Sequence, residues 1–212
     1  MNFKIEKIQF KGDPLDDAWR KKSFQTQMGL VVHERFNEAK KDLIKDFEAH
    51  PISQEIKDPS KGNISGTLSS YFDFEGNKAD LFGFVGFYAQ SNPIEDVASF
   101  LMQNVKIQNL RYIRRYGKRP PRINVSFKVP TIYSFSKIAS KHTDAIVTTN
   151  WVKGMETGIK GLQYYKVMSG KGRSRRAVQF ENKLRSGRFK PKSYMSGLLR
   201  DFKIKLKGNT IL

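Results

Sequence analysis

Asn63-Ile64-Ser65-Gly66-Thr67-Leu68 and Leu81-Phe82-Gly83-Phe84-Val85-Gly86-Phe87-Tyr88 flank a short polar turn, Glu75-Gly76-Asn77-Lys78. The pattern predicts a hairpin. In a strand, successive side chains point to opposite faces. Phe82, Phe84 and Tyr88 then point one way, and Leu81, Val85 and Phe87 the other. Both faces are apolar, so the second strand is expected near the middle of a covered sheet. Gly83 and Gly86 suggest a bulge or a close approach by another segment.

Charge divides the chain at this stretch. Residues 1–96 hold 13 Lys and Arg against 16 Asp and Glu, whereas residues 97–212 hold 26 against four. A net charge of +19 concentrated in this way creates a strong local field and favours an anionic partner, either nucleic acid or an acidic protein surface. A solubilising surface does not explain the one-sidedness.

Composition narrows the classes. A chain of 212 residues with 38% hydrophobic residues and 16 Phe can build one substantial core. The absence of cysteine excludes disulfides, thiolate metal sites and cysteine nucleophiles. No apolar run reaches the ~18 residues of a membrane span. Met1–Glu6 lacks the apolar stretch of a signal peptide, which leads to the expectation of a reducing compartment.

Upstream of the hairpin, residues 3–10 alternate as an edge strand. Asp13-Pro14-Leu15-Asp16-Asp17 has the chemistry of a helix start: a cap, a proline at the first position, and acids facing the positive end of the dipole. Met28, Val32, Phe36, Ala39, Leu43 and Phe47 then recur at helical spacing, predicting a buried stripe that ends at His50-Pro51. This helix would span about 35 residues or break near Gly29. A short strand is read at Ile52–Ile56 and a turn at Asp58–Gly62.

Downstream, Asn92-Pro93 opens a helix running to about Asn104 that buries Val97, Phe100 and Leu101. A second hairpin follows. Ile123, Val125, Phe127 and Val129 alternate with polar residues, and the partner strand lies within 105–116. Lys106 to Lys128 carries eight basic residues and no acid, with Arg114, Arg115, Lys118, Arg119 and Arg122 around its tip. Thr131–Ala139 reads as a short helix. Trp151, Met155, Ile159, Leu162 and Tyr165 form another helical stripe, beside Gly154, Gly158 and Gly161. A Gly-, Ser- and Arg-rich stretch over 168–192 includes Arg173, Arg175, Arg176, Arg185 and Arg188. The last helix covers about Ser193–Lys205.

Chemistry is sparse. His33, His50 and His142 have no second ligand at metal spacing, and His142-Thr143-Asp144 lacks a nucleophile. Ser169-Gly170-Lys171-Gly172-Arg173-Ser174 is not a phosphate-binding P-loop. No catalytic, cofactor-binding or metal-binding residue is assigned. Tyr112, Tyr116, Tyr164, Tyr165, Phe180 and Phe189 interleave with cations in a way that suits base stacking, although aromatics in regular elements are more often core.

Taken together, these segments resemble the neck and tail-completion proteins of tailed bacteriophages. The likeness runs through His50-Pro51-Ile52-Ser53-Gln54-Glu55-Ile56, Asn63–Leu68, Leu81–Phe87, Asn92-Pro93-Ile94, Trp151–Gly158 and Ser174-Arg175-Arg176. It implies a non-enzymatic virion protein with a helix packed on an antiparallel sheet. It also implies a ring homo-oligomer, a hexamer, that joins the connector or adaptor to the tail terminator or tail tube. DNA would pass through the channel, no membrane would be contacted, and assembly would take place in the host cytoplasm. The hairpin at 105–130 and the basic segment 166–212 make this chain longer than compact members of that family.

The expected fold is therefore α+β in one domain, 1–212: a long N-terminal helix on a mostly antiparallel sheet built from two hairpins, with C-terminal helices. The Arg and Lys residues at 114, 115, 118, 119, 122, 173, 175, 176, 185 and 188 are the candidate interface or DNA-facing set. A stand-alone basic nucleic-acid-binding protein is the rival reading, and an enzyme with an unrecognised site is the third.

Overall fold

The stripe from Met28 to Phe47 is where the sequence most strongly dictates structure, since apolar residues at three- and four-residue steps bury one side of a helix. All six of its residues are buried. The structure, a computed structural model, describes residues 2–9, 15–68, 81–85, 87–88, 90–113, 122–139, 150–158 and 189–208. Its elements in chain order are strand β1 (Asn2–Gln9) and helices α1 (Leu15–Arg20), α2 (Lys22–Ala49), α3 (Pro51–Lys57), α4 (Leu81–Val85) and α5 (Pro93–Asn104). Strands β2 (Lys106–Ile113) and β3 (Arg122–Lys128) follow, then helices α6 (Ser136–Ala139), α7 (Trp151–Thr157) and α8 (Met195–Gly208).

The fold is α+β: a long N-terminal helix packs on an antiparallel sheet, and further helices follow. The chain forms two compact units. One comprises Met1–Lys45, Phe100–Pro130 and Leu198–Leu212, and the other Asp46–Ser99 and Thr131–Gly197.

In the first unit the sheet order is β1-β3-β2, with both pairings antiparallel. Ile123, Val125 and Phe127 of β3 are buried. Phe127 stacks on Phe36 of α2, and Phe202 of α8 meets Phe36 edge-on. Trp19, only 1% exposed, lies against Phe24 and Tyr112. The helix breaks at Lys21, between α1 and α2, rather than at Gly29. There the Gln25 side chain donates to the Trp19 carbonyl at 2.9 Å. Gly29 lies inside α2 and makes room for Tyr112: a Cβ at position 29 would lie 2.7 Å from the tyrosine hydroxyl.

Three sequence expectations are corrected. The segment 81–88, read as a central strand, contains helix α4, with Leu81 and Val85 buried one turn apart on a single face. The hairpin turn at 75–78 lies outside the described residues. Among the described residues, the sheet is built from β1 and the hairpin of β2 and β3. Ile52–Ile56 lies within helix α3, where Pro51 occupies the first position and His50 caps the start. The helix at 151 stops at Thr157, because Gly158 adopts φ +87 and ψ 141, outside helical space.

Other expectations match. α5 begins at Pro93 and buries Val97 and Leu101, whereas Phe100 is half-buried. β1 is an edge strand, and β2 and β3 pair as the second hairpin. α8 buries Met195, Leu199, Phe202 and Leu206 at helical spacing.

Candidate functional site

The second unit contains a knot of polar side chains, formed where the chain returns after more than a hundred residues. Helix α3 supplies Ser53 and Glu55, both fully buried although polar. Burying such groups costs free energy unless they are hydrogen-bonded. The Ser53 hydroxyl shares a 2.7 Å hydrogen bond with the Tyr194 phenol. Glu55 Oε2 accepts from the Ser65 amide at 3.0 Å.

The loop from Asn63 to Leu68 braces itself. Asn63 Oδ1 accepts from the Leu68 amide at 3.1 Å, and its Nδ2 donates back to the Leu68 carbonyl. The Ser65 and Thr67 hydroxyls bond at 2.8 Å. Gly66 supplies the turn with φ +63, a conformation that costs other residues about 1–2 kcal/mol.

A strap at 189–194 closes the knot. Phe189 bridges to Leu68, Lys190 N donates to the Thr67 carbonyl at 2.7 Å, and Lys192 N donates to the Met155 carbonyl at 2.9 Å. Lys192 Nζ donates to the Ser65 carbonyl. Glu156 Oε1 accepts from the amides of Tyr194 (3.2 Å) and Ser196 (2.6 Å), pinning α7 to the start of α8.

The electrostatics are those of a structural centre. Complete burial pushes the Tyr194 phenol far above its ordinary value, opposed by the Ser53 bond. His50 lies 4.8 Å from the Tyr194 ring. Its pKa is lowered first by burial and then by the charge of Lys192, against a backbone hydrogen bond at Ser193. Its Nδ1 accepts from the Ile52 amide at 3.2 Å. The His50 lone pair is therefore committed to the helix cap, and the Ser53 hydroxyl to Tyr194. These residues hold the fold and do not form a nucleophile–base pair. Among the described residues, no group of three or more His, Cys, Asp or Glu could hold a metal ion.

Of the ten basic candidates, the described residues include Arg122 alone, half-buried at the start of β3 and paired in register with Ile113 and Gln9. The positions 114, 115, 118, 119, 173, 175, 176, 185 and 188 lie outside them, as do His142 and Asp144. Along β2 and β3 the sheet carries further cations that are not in the candidate set. Arg111 is opposite Asn124, and Lys106 is opposite Lys128. The alternation on β3, where every second residue turns away from the core, signalled Lys128; Lys106 and Arg111 of β2 are placed by the pairing register.

No family model matches the sequence, and no curated protein or solved structure matches the chain.

Proposed function

We propose that this chain is a structural subunit of a tailed-phage virion: a ring-forming neck or tail-completion protein that joins connector to tail. The carrying observation is the one-sided charge, 26 cations against four acids after residue 96. A ring subunit stacked between unlike neighbours, around a DNA channel, needs two dissimilar halves. The α+β architecture, with a long helix on an antiparallel sheet, is the one that the resemblance implies. The polar groups of the second unit are engaged in holding α3, the 63–68 loop, α7 and the strap together, which suits a scaffold better than an enzyme. The partners in this reading are copies of the chain in a hexameric ring, the connector or adaptor, and the tail terminator or tail tube.

The test is assembly. Size measurement of the purified protein, alone and with candidate connector proteins, is expected to give a ring or a connector-bound ring. In the phage, replacing Arg173, Arg175 and Arg176 with Glu is expected to leave tailless heads or unjoined tails. Normal joining by a stably folded triple variant, together with tight DNA binding by a monomeric wild type, would favour the stand-alone nucleic-acid-binding reading instead.

A further inference from the structure

We infer that the outward face of the three-stranded sheet is a docking surface for duplex DNA, which it grips through the phosphates. This inference goes beyond the proposed place in the virion and does not depend on it. The sheet has two unlike sides. Ile123, Val125 and Phe127 turn toward the helices and are buried, so Arg122, Asn124, Ser126 and Lys128 turn away from them. Register places Lys106 opposite Lys128, Asn109 opposite Ser126, and Arg111 opposite Asn124 on that same outward side. Lys106, Asn109, Arg111 and Lys128 are exposed. Neither β2 nor β3 contains a carboxylate, and the one in β1, Glu6, falls in the irregular step between Ile5 and Ile8.

One detail points to an anionic partner. Lys106 and Lys128 face one another across neighbouring strands, and like charges so placed destabilise a sheet. A fold keeps such a pair at less cost when an anion bridges it.

The chemistry favours nucleic acid over an acidic protein. Protein interfaces rely on buried aromatic or aliphatic anchors. On β2 and β3, apart from Ile113, this face carries cations, amides and a hydroxyl. Such side chains contact phosphate and sugar, setting position without reading sequence. β3 is long enough, at ~20 Å, to run along about half a turn of duplex.

The experiment measures binding of the full chain to a labelled mixed-sequence duplex of about 21 base pairs, two helical turns, across a salt series. The test variant is Lys106→Gln with Lys128→Gln. The control is Lys41→Gln with Lys45→Gln, two exposed lysines of α2 that remove the same charge. The sheet pair is expected to reduce the slope of log affinity against log salt by about 1.8, at ~0.9 per lost phosphate contact. Its melting temperature should be unchanged or raised, because the like-charge pair is gone. The α2 pair is expected to leave the slope unchanged. Arg111→Gln with Lys128→Gln serves as a second sheet pair and is expected to show the same loss. Equal losses in the sheet and α2 variants, an unchanged slope in both sheet pairs, or no duplex binding by the wild type at low salt would overturn the inference. So would tighter binding of poly-glutamate than of duplex, lost in the same sheet pairs, which would assign the face to a protein partner.

Discussion

Phe36 of α2 and Phe127 of β3 stack with ring centroids 5.3 Å apart and planes 21° from parallel. The contact fastens the long helix to the central strand, and Phe202 closes on it from α8 at 6.4 Å. Replacing either Phe36 or Phe127 with Ala is expected to cost about 3–5 kcal/mol in urea unfolding. The two losses should not add, because the residues touch. Additive losses would show that the rings do not share a packing site.

The Ser53–Tyr194 hydrogen bond makes a sharper test, since both groups are buried and 141 positions apart. Tyr194→Phe leaves the serine hydroxyl unsatisfied, and Ser53→Ala does the same to the phenol. Each is expected to destabilise by about 1–3 kcal/mol, with the double variant losing less than the sum. Full additivity in a double-mutant cycle would remove the coupling.

The pH dependence near neutrality should come from His50. Its folded pKa is below the ordinary 6.5, so the unfolded chain takes up the proton first as pH falls. The stability contribution is complete above about pH 6.5, falls as pH drops toward the lowered folded value, and then levels off. Lys192 and Tyr194 are the neighbouring groups that set the shift and the packing. His50→Asn keeps a capping acceptor without a titrating group, and its stability should lack this component. Parallel pH profiles for the wild type and His50→Asn would rule it out.

Gly66 is at φ +63, and a Cβ there would lie 3.3 Å from Lys192 Nζ. Gly66→Ala should therefore destabilise by about 1–2 kcal/mol, and Gly66→Asn by less, since Asn tolerates this region better. An Ala variant as stable as the wild type would mean that the turn relaxes without cost.

The elements that were legible in the sequence carry their own evidence locally. The Met28–Phe47 stripe, the Pro93 start of α5 and the alternation of Ile123, Val125 and Phe127 each fix one element by periodicity or capping. Leu81–Phe87 misled because an apolar run that short fits a strand and a helix equally well. Leu81 and Val85, four apart, share a face in either conformation, so their burial does not separate the two readings; the helical backbone of Leu81–Val85 does. Gly29 looked like a break because its partner, Tyr112, lies far away in sequence. The polar knot was illegible for the same reason. Nothing near Ser53 announces Tyr194, and nothing near Ser65 announces Lys192. The sheet face was half legible: β3 displayed its polar side, but only the pairing register brings Lys106 opposite Lys128.

The order β1-β3-β2 also has a consequence in time. Phe3 pairs with Phe127, and Gln9 with Arg122, so the first strand to leave the ribosome finds its partner only when the third strand has been made. At 5–20 residues per second the intervening chain takes roughly 6–25 s to synthesise. During that interval α1 and α2 can coil from local contacts alone, while β1 waits with its backbone groups unpaired. Chains arrested before residue 122 should therefore show the helices without the sheet, and be more prone to stick to one another than the finished protein.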